Sequence, residues 1–200
     1  MSLSTESNGF LKIVMGPMFA GKSTFLIHEI AKYSANNVVA IKHSVDTRYY
    51  TEVCENYGIS CEPVHYIISH NKEVAKCLGF HKLRDILNND VLLGKDVIFI
   101  DEAQFFDDLF EVVIILVEKL GKSVYLAGLD GDFKRRSFGN GDLMKLIPYA
   151  DEVIKIRGHC QVAGCQKESL FSMRTSADES QIVVGNNYIP VCRYHYNNPQ

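Results

Sequence analysis

Residues 16–23 read Gly16-Pro17-Met18-Phe19-Ala20-Gly21-Lys22-Ser23, a G-x-x-x-x-G-K-S string that begins where the apolar run Phe10-Leu11-Lys12-Ile13-Val14-Met15 ends. Downstream, Phe25, Leu26 and Ile30 give residues 24–33 a helical pattern. A strand that feeds a glycine-rich turn and then a helix aims several backbone N–H groups, and the positive end of the helix dipole, at one point. That point binds phosphate. Gly16 and Gly21 let the backbone wrap the anion without a Cβ clash, Lys22 reaches the β and γ phosphates, and the Ser23 hydroxyl is a Mg²⁺ ligand.

Two hundred residues, 46% of them apolar, hold one full core with at most a small appendage. The polar stretch 1–9 lacks the apolar core and basic flank of a signal peptide and is expected to be a disordered leader. No apolar run approaches the ~20 residues that cross a bilayer, so a cytoplasmic location with no membrane partner is expected. The net charge is −3 and Lys134-Arg135-Arg136 is the one tight basic cluster, which argues against a nucleic-acid partner. Six cysteines without a secretory signal point to thiols or metal ligands rather than a disulfide framework.

Residues 37–42 predict a second buried strand, with Asp46-Thr47-Arg48 at its carboxyl end. In open α/β sheets ligands sit at that edge, so Asp46 and Arg48 are placed to meet a phosphate or sugar, with a surface ion pair as the alternative. Residues 49–63 read as a loop, 64–68 as a strand, and 72–88 as a helix broken near Gly79. The run Asp96-Val97-Ile98-Phe99-Ile100-Asp101-Glu102 is an apolar strand ending in two carboxylates, the Walker B pattern, about eighty residues after the phosphate loop. Asp101 would hold Mg²⁺. Neighbouring side chains on an extended strand diverge, so Glu102 is available as a base or a water orienter. A helix over 107–120 carries Leu109, Val112, Val113, Leu116, Val117 and Leu120 on one face, and a strand follows over 123–127. Alternating strands and helices imply a parallel sheet with right-handed crossovers, an α/β domain of the P-loop NTPase-like (RecA-like) kind flanked by helices, over residues 10–157.

Residues 158–196 have a different character. Cys160-x₄-Cys165 and Cys192-x₂-His195 are two short ligand pairs separated by 26 residues, the two-knuckle layout of a structural zinc site. Four such ligands close a tetrahedral Zn²⁺ and leave no position open for chemistry. About 40 residues bury too little surface to fold alone, so the metal would supply much of the folding free energy. His159 is an alternative ligand, and scattered buried thiols are the competing reading. Cys54, Cys61 and Cys77 have no such pairing and are expected to be core or loop cysteines. Residues 197–200 form a short tail.

The strings Gly16 to Thr24, Asp46-Thr47-Arg48-Tyr49, Ile100-Asp101-Glu102-Ala103-Gln104-Phe105-Phe106, Leu129-Asp130-Gly131-Asp132-Phe133, Phe138-Gly139 and Cys192-Arg193-Tyr194-His195 occur in the order seen in type II, cytosolic-type thymidine kinases. The chain resembles that family over residues 10–196. The resemblance implies salvage phosphorylation, with the γ-phosphoryl of ATP passing to the 5′-hydroxyl of thymidine and deoxyuridine as a secondary substrate. It implies Glu102 as the proton acceptor, and Mg²⁺, Lys22 and Arg48 as charge neutralisers. Nucleotide contacts would come from residues 16–23, Asp46, Thr47, Arg48, Asp101 and Gln104. Phe105, Phe133 and Phe138 would surround the base, Met18, Leu129 and Ser172 its 5-methyl end, and Tyr188 would lie against the nucleoside. A lasso lid between the zinc knuckles, Gln181-Ile182-Val183-Val184-Gly185-Asn186-Asn187-Tyr188, would read the base through backbone groups, with Ile182 and Val184 in contact. A homotetramer and feedback by dTTP are also implied. This chain departs from the family pattern in lacking two adjacent glycines and one residue before the lasso tyrosine, in carrying Asn56 where histidine is typical, and in a first cysteine pair two residues wider.

A nucleic-acid-stimulated P-loop ATPase with a zinc knuckle is the rival reading, since Asp101-Glu102-Ala103-Gln104 also looks like a helicase motif II. A helicase motor needs two such domains, and this chain has room for one. No Asn-Lys-x-Asp string supports a GTPase switch.

Overall fold

Successive residues of the apolar runs face opposite sides of one sheet, which is why the strands read as continuous apolar stretches instead of alternating ones. The computed structural model describes residues 8–46, 65–69, 71–183 and 187–199. Strands β1 (Phe10–Gly16), β2 (Val38–His43), β3 (His65–Ile68), β4 (Val74–Phe80), β5 (Val97–Asp101), β6 (Ser123–Leu129) and β7 (Glu152–Lys155) form a sheet in the order β3-β4-β2-β5-β6-β1-β7. All neighbours are parallel except the β3–β4 pair at one edge.

On one face Leu11, Ile13, Ile41, Ile98, Ile100, Val124 and Leu126 pack against Leu109, Val112, Val113 and Leu116. On the other, Phe99, Tyr125, Ala40 and Ala127 pack against Leu26 of helix α1 (Lys22–Ile30). A single helical turn α2 (Asp90–Leu93) precedes β5. Helix α3 (Leu109–Ile114) runs into a wider π wind over Ile115–Lys119, closed by Leu120 N–H donating to the Ile115 carbonyl at 3.0 Å. The apolar face expected for residues 107–120 is therefore present from Leu109 to Val117, carried by two kinds of helix, but Leu120, expected on it, is 43% exposed where the π wind ends.

The expectation of a helix over 72–88 is wrong. Residues 74–80 are β4, parallel to β2 and antiparallel to β3, and Leu83–Asn88 is a 3-10 turn. Cys77 points into the core while Lys76 and Leu78 are exposed, a period of two that no helix produces. Pairing on both sides overrides local propensity here.

After a short helical turn α4 (Asp142–Lys145) and β7, the chain forms two small antiparallel pairs, β8 (Gly158–His159) with β9 (Glu168–Ser169) and β10 (Phe171–Arg174) with β11 (Tyr188–Val191), then helix α5 (Arg193–Asn197). Their common core is Cys160, Val191 and Cys192, with Phe171, Ile189 and Tyr196 packed around it. That is little apolar surface for a unit of this size. Among the described residues no helix is long and apolar enough to cross a membrane.

Candidate active site

The chemistry-bearing residues gather at the carboxyl ends of β1, β2, β5 and β6, where an open cavity is lined by Gly21, Lys22, Ser23, Lys42, Asp46, Asp101 and Glu102, among others. β1 stops at Gly16, whose hydrogen-sized side chain is required because a Cβ would lie 2.2 Å from the Ile156 carbonyl oxygen. The loop then turns through two left-handed residues, Phe19 (φ 59) and Gly21 (φ 94), and Gly21 caps α1. No acidic residue of the helix itself occupies the first turn of α1, and the carboxylate that meets this turn is Asp101, through Ser23 Oγ. Within the loop the buried Lys22 donates from Nζ to the Pro17 carbonyl at 2.8 Å, which holds the ammonium over the turn.

Ser23 Oγ donates to Asp101 Oδ2 at 3.1 Å. Two adjacent oxygen ligands of an octahedral Mg²⁺ stand about 3 Å apart, so this pair has the spacing the ion requires. Asp101 is almost fully buried, and its carboxyl is pushed up to about 7, first by burial and then by the charge of Glu102, with the Ser23 hydrogen bond acting the other way. A divalent cation would relieve that buried negative charge.

Glu102 does not continue the strand. Its backbone is left-handed (φ 51, ψ 39) and opens a 3-10 turn over Ala103–Phe105. The divergence of the two carboxylates therefore comes from a turned backbone, not from the strand alternation the sequence suggests. Non-glycine residues hold this conformation at a cost of about 1–2 kcal/mol. Gln104 fixes the result: its Nε2 donates to Glu102 Oε2 at 2.6 Å, and its Oε1 accepts from Leu129 N at 3.0 Å. Gly128 leaves space for that amide, since a Cβ there would sit 2.7 Å from Gln104 Oε1. Gln104 thus braces Glu102.

A second cavity adjoins the first. Phe105, Phe133, Phe138, Ser172, Ile182 and Tyr188 line it, with Phe105 and Phe138 edge-to-face at 6.0 Å. Met18, Asp46, Glu102 and Leu129 belong to both cavities. Ser172 Oγ accepts from Met18 N–H at 2.9 Å, tying the phosphate loop to β10. Every described residue that the sequence assigns to the nucleoside thus falls in one pocket. Thr47, Arg48, Asn56, Val184, Cys54 and Cys61 lie outside the described residues, and Cys77 is a buried core thiol whose pKa burial raises to about 12.

Three residues given no role from sequence help to shape the site. Lys42, 3% exposed, lies opposite Asp101 in the β2–β5 register with its Nζ 3.6 Å from Asp46 Oδ2. Its signal was a lysine closing an otherwise apolar strand. Asp132 accepts from the Lys134 and Arg136 N–H groups at 2.8 Å each, and from Gln181 Nε2 at 3.1 Å. Burial works to raise its carboxyl, but the hydrogen bonds from Arg136, Gln181 and Lys134 outweigh it and hold it below the usual range. Arg174 stacks on Phe133, with its guanidinium 3.8 Å from the ring centre.

Behind the second cavity, the ligand atoms of Cys160, Cys165, Cys192 and His195 all lie within 4.8 Å of one another, and no His159 atom is among them. Cys165 Sγ and Cys192 Sγ are 4.0 Å apart, and His195 Nδ1 is 3.3 and 3.5 Å from the Cys160 and Cys192 sulfurs. Tetrahedral zinc with ordinary bond lengths gives S···S of about 3.8 Å and S···N of about 3.6 Å. The donor set fits the ion. The next residue, Tyr196, donates its hydroxyl to the Phe133 carbonyl at 2.7 Å, linking this cluster to the wall of the aromatic pocket.

A glycine-rich turn feeding a helix, a buried Ser–Asp pair at Mg²⁺ spacing and a mostly parallel sheet define a P-loop α/β nucleotide-binding protein. A family profile described as "Thymidine kinase" matches residues 9–196. The chain is 36% identical over 201 residues to "Thymidine kinase a" of Arabidopsis thaliana, covering 97% of this chain and 77% of that one. It is 36% identical to a "Thymidine kinase" of Monkeypox virus, covering 95% and 98% of the two chains, and 31% identical to human "Thymidine kinase, cytosolic", covering 96% and 75%. The chain belongs to the thymidine kinase family.

Proposed function

We propose that the protein phosphorylates the 5′-hydroxyl of thymidine with ATP, and deoxyuridine more weakly. The observation that carries this reading is the position of Glu102, a buried carboxylate lining both the phosphate cavity and the aromatic pocket. A nucleoside in the second cavity presents its sugar alcohol toward the first across that carboxylate. Phosphoryl transfer passes through a loose, highly charged transition state, so the protein's work is to position and to neutralise. Glu102 takes the hydroxyl proton, while Gln104 fixes the carboxylate's direction. Backbone N–H groups of the phosphate loop beyond Met18, whose own N–H is held by Ser172, and the Lys22 ammonium hold the β and γ phosphates, with Arg48 assigned to the same charge. Ser23 and Asp101 would hold Mg²⁺, which when bound supplies positive charge to the phosphate oxygens. Phe105, Phe133 and Phe138 surround the base, with Tyr188 and Ile182 on its outer side; a contact from Val184 belongs to this reading as a family property.

Zinc held by Cys160, Cys165, Cys192 and His195 would cross-link the small unit that carries Ser172 and Tyr188. A cytosolic location belongs to this reading, supported by the names of the hamster and human relatives. A homotetramer and feedback by dTTP belong to it as family properties, checked by sedimentation and by a dTTP titration of initial rates. The activity is tested by incubating the purified protein with ATP, Mg²⁺ and each deoxynucleoside in turn. Formation of dTMP, with dUMP at a lower rate, is expected; no dTMP would overturn the proposal.

A further inference from the structure

Residues 178–183 line or approach the aromatic pocket, yet they form no helix or strand, and residues 178–180 are exposed. With so little apolar contact, polar bonds must set the conformation of this segment. Three of them converge on one side chain. Arg174, at the end of β10, donates from Nη1 to the Asp178 carbonyl at 2.7 Å and also to the Ser180 carbonyl. From Nη2 it donates to the Gln181 carbonyl at 3.4 Å and to the Tyr188 hydroxyl. Its guanidinium covers Phe133 at 3.8 Å and approaches Tyr188 at 4.8 Å, and its Nε is sealed from solvent with no partner among the described residues. Two further ties reach the segment from the 132–137 loop: Lys134 with Glu179, and Gln181 Nε2 with Asp132 and Ser137.

We infer that Arg174 is a positioning residue that sets nucleoside affinity. One guanidinium binds three loop carbonyls, the Tyr188 hydroxyl and the Phe133 ring, so the outer wall of the pocket is assembled before the nucleoside arrives. The geometry needs a planar fork: a lysine ammonium can neither lie flat on Phe133 nor reach both sides of the turn. Arg174 touches neither the phosphate cavity nor Glu102, so its effect falls on nucleoside binding and not on proton transfer.

The inference rests on the aromatic pocket being the nucleoside site, and steady-state kinetics separate the two claims. Wild-type protein without thymidine kinase activity would overturn the proposed function itself. With an active wild type, Arg174→Met is expected to raise KM for thymidine roughly 10- to 100-fold. ATP KM should stay within about twofold, kcat within about threefold, and zinc per chain unchanged. Arg174→Lys should fall between the two, and it replaces Arg174→Met if circular dichroism shows that variant unfolded. A selective thymidine KM increase above about threefold supports the inference. A smaller change, or an equal rise for ATP, overturns it.

Discussion

Replacing Glu102 with glutamine separates chemistry from architecture. Gln104 Oε1 is committed to the Leu129 N–H at 3.0 Å, so the Gln104 amide must turn its Nε2 toward position 102. The carbonyl of an introduced glutamine can accept that bond in the place of Oε2, and the brace survives. The bond changes from charge-assisted, worth about 1.5–3 kcal/mol, to neutral, worth about 1 kcal/mol. Against that loss, Asp101 no longer shares a buried site with a second negative charge, a relief that acts in the opposite direction. The two effects oppose each other, so stability should move by about 2 kcal/mol or less. Turnover should not survive so well. A positioned base contributes about 10²- to 10⁴-fold, or roughly 3–5 kcal/mol of barrier at 1.36 kcal/mol per factor of ten. Initial rates of dTMP formation, with ATP and thymidine affinities from calorimetry and a thermal melt, measure all three quantities. A rate loss below tenfold, or one matched by lost affinity for either substrate, would refute the base assignment.

Two other predictions follow from the same geometry. Removing a zinc ligand with Cys192→Ser should reduce bound zinc below one per chain by elemental analysis and raise thymidine KM, because Tyr196 and the β10–β11 pair lose their anchor; a zinc-free protein with unchanged kinetics would refute this. In Asp101 the folded carboxyl is raised to about 7 from an ordinary 3.8. Between those values the unfolded chain gives up its proton while the folded one keeps it, so protein without Mg²⁺ or nucleotide should lose stability as pH rises through that window and level off above it. Thermal midpoints at pH 5 and 8 should differ less in Asp101→Asn than in wild type, and equal differences would exclude Asp101 as the source.

The phosphate loop and the Asp101 strand were legible because their chemistry demands fixed residue types at contiguous positions. The Cys160–His195 set was legible for the same reason, since metal ligands come in short spaced pairs. β4 was not: Lys76, Leu78 and Gly79 carry no strand signal of their own, and the segment is extended because β2 and β3 pair with it on both sides. Glu102 was placed correctly in the chain but given the wrong backbone, since nothing in an apolar run ending in Asp-Glu announces that its last residue turns left-handed. Lys42 acts through a buried ion pair with Asp46 and Asp132 through loop hydrogen bonds, which no spacing rule encodes. Arg174 is least readable of all, because its partners are mainly backbone carbonyls, identical for every residue type.

The turned backbone at position 102 ties strain to function. Glycine would relax the φ of 51 there without the steric cost borne by a side chain, but it would also abolish the proton acceptor and strand the buried Gln104 Nε2 donor, a loss at least as large as the strain relieved. A library screened only for heat resistance should therefore gain nothing from glycine at that codon, and a screen for growth on salvaged nucleoside should keep glutamate.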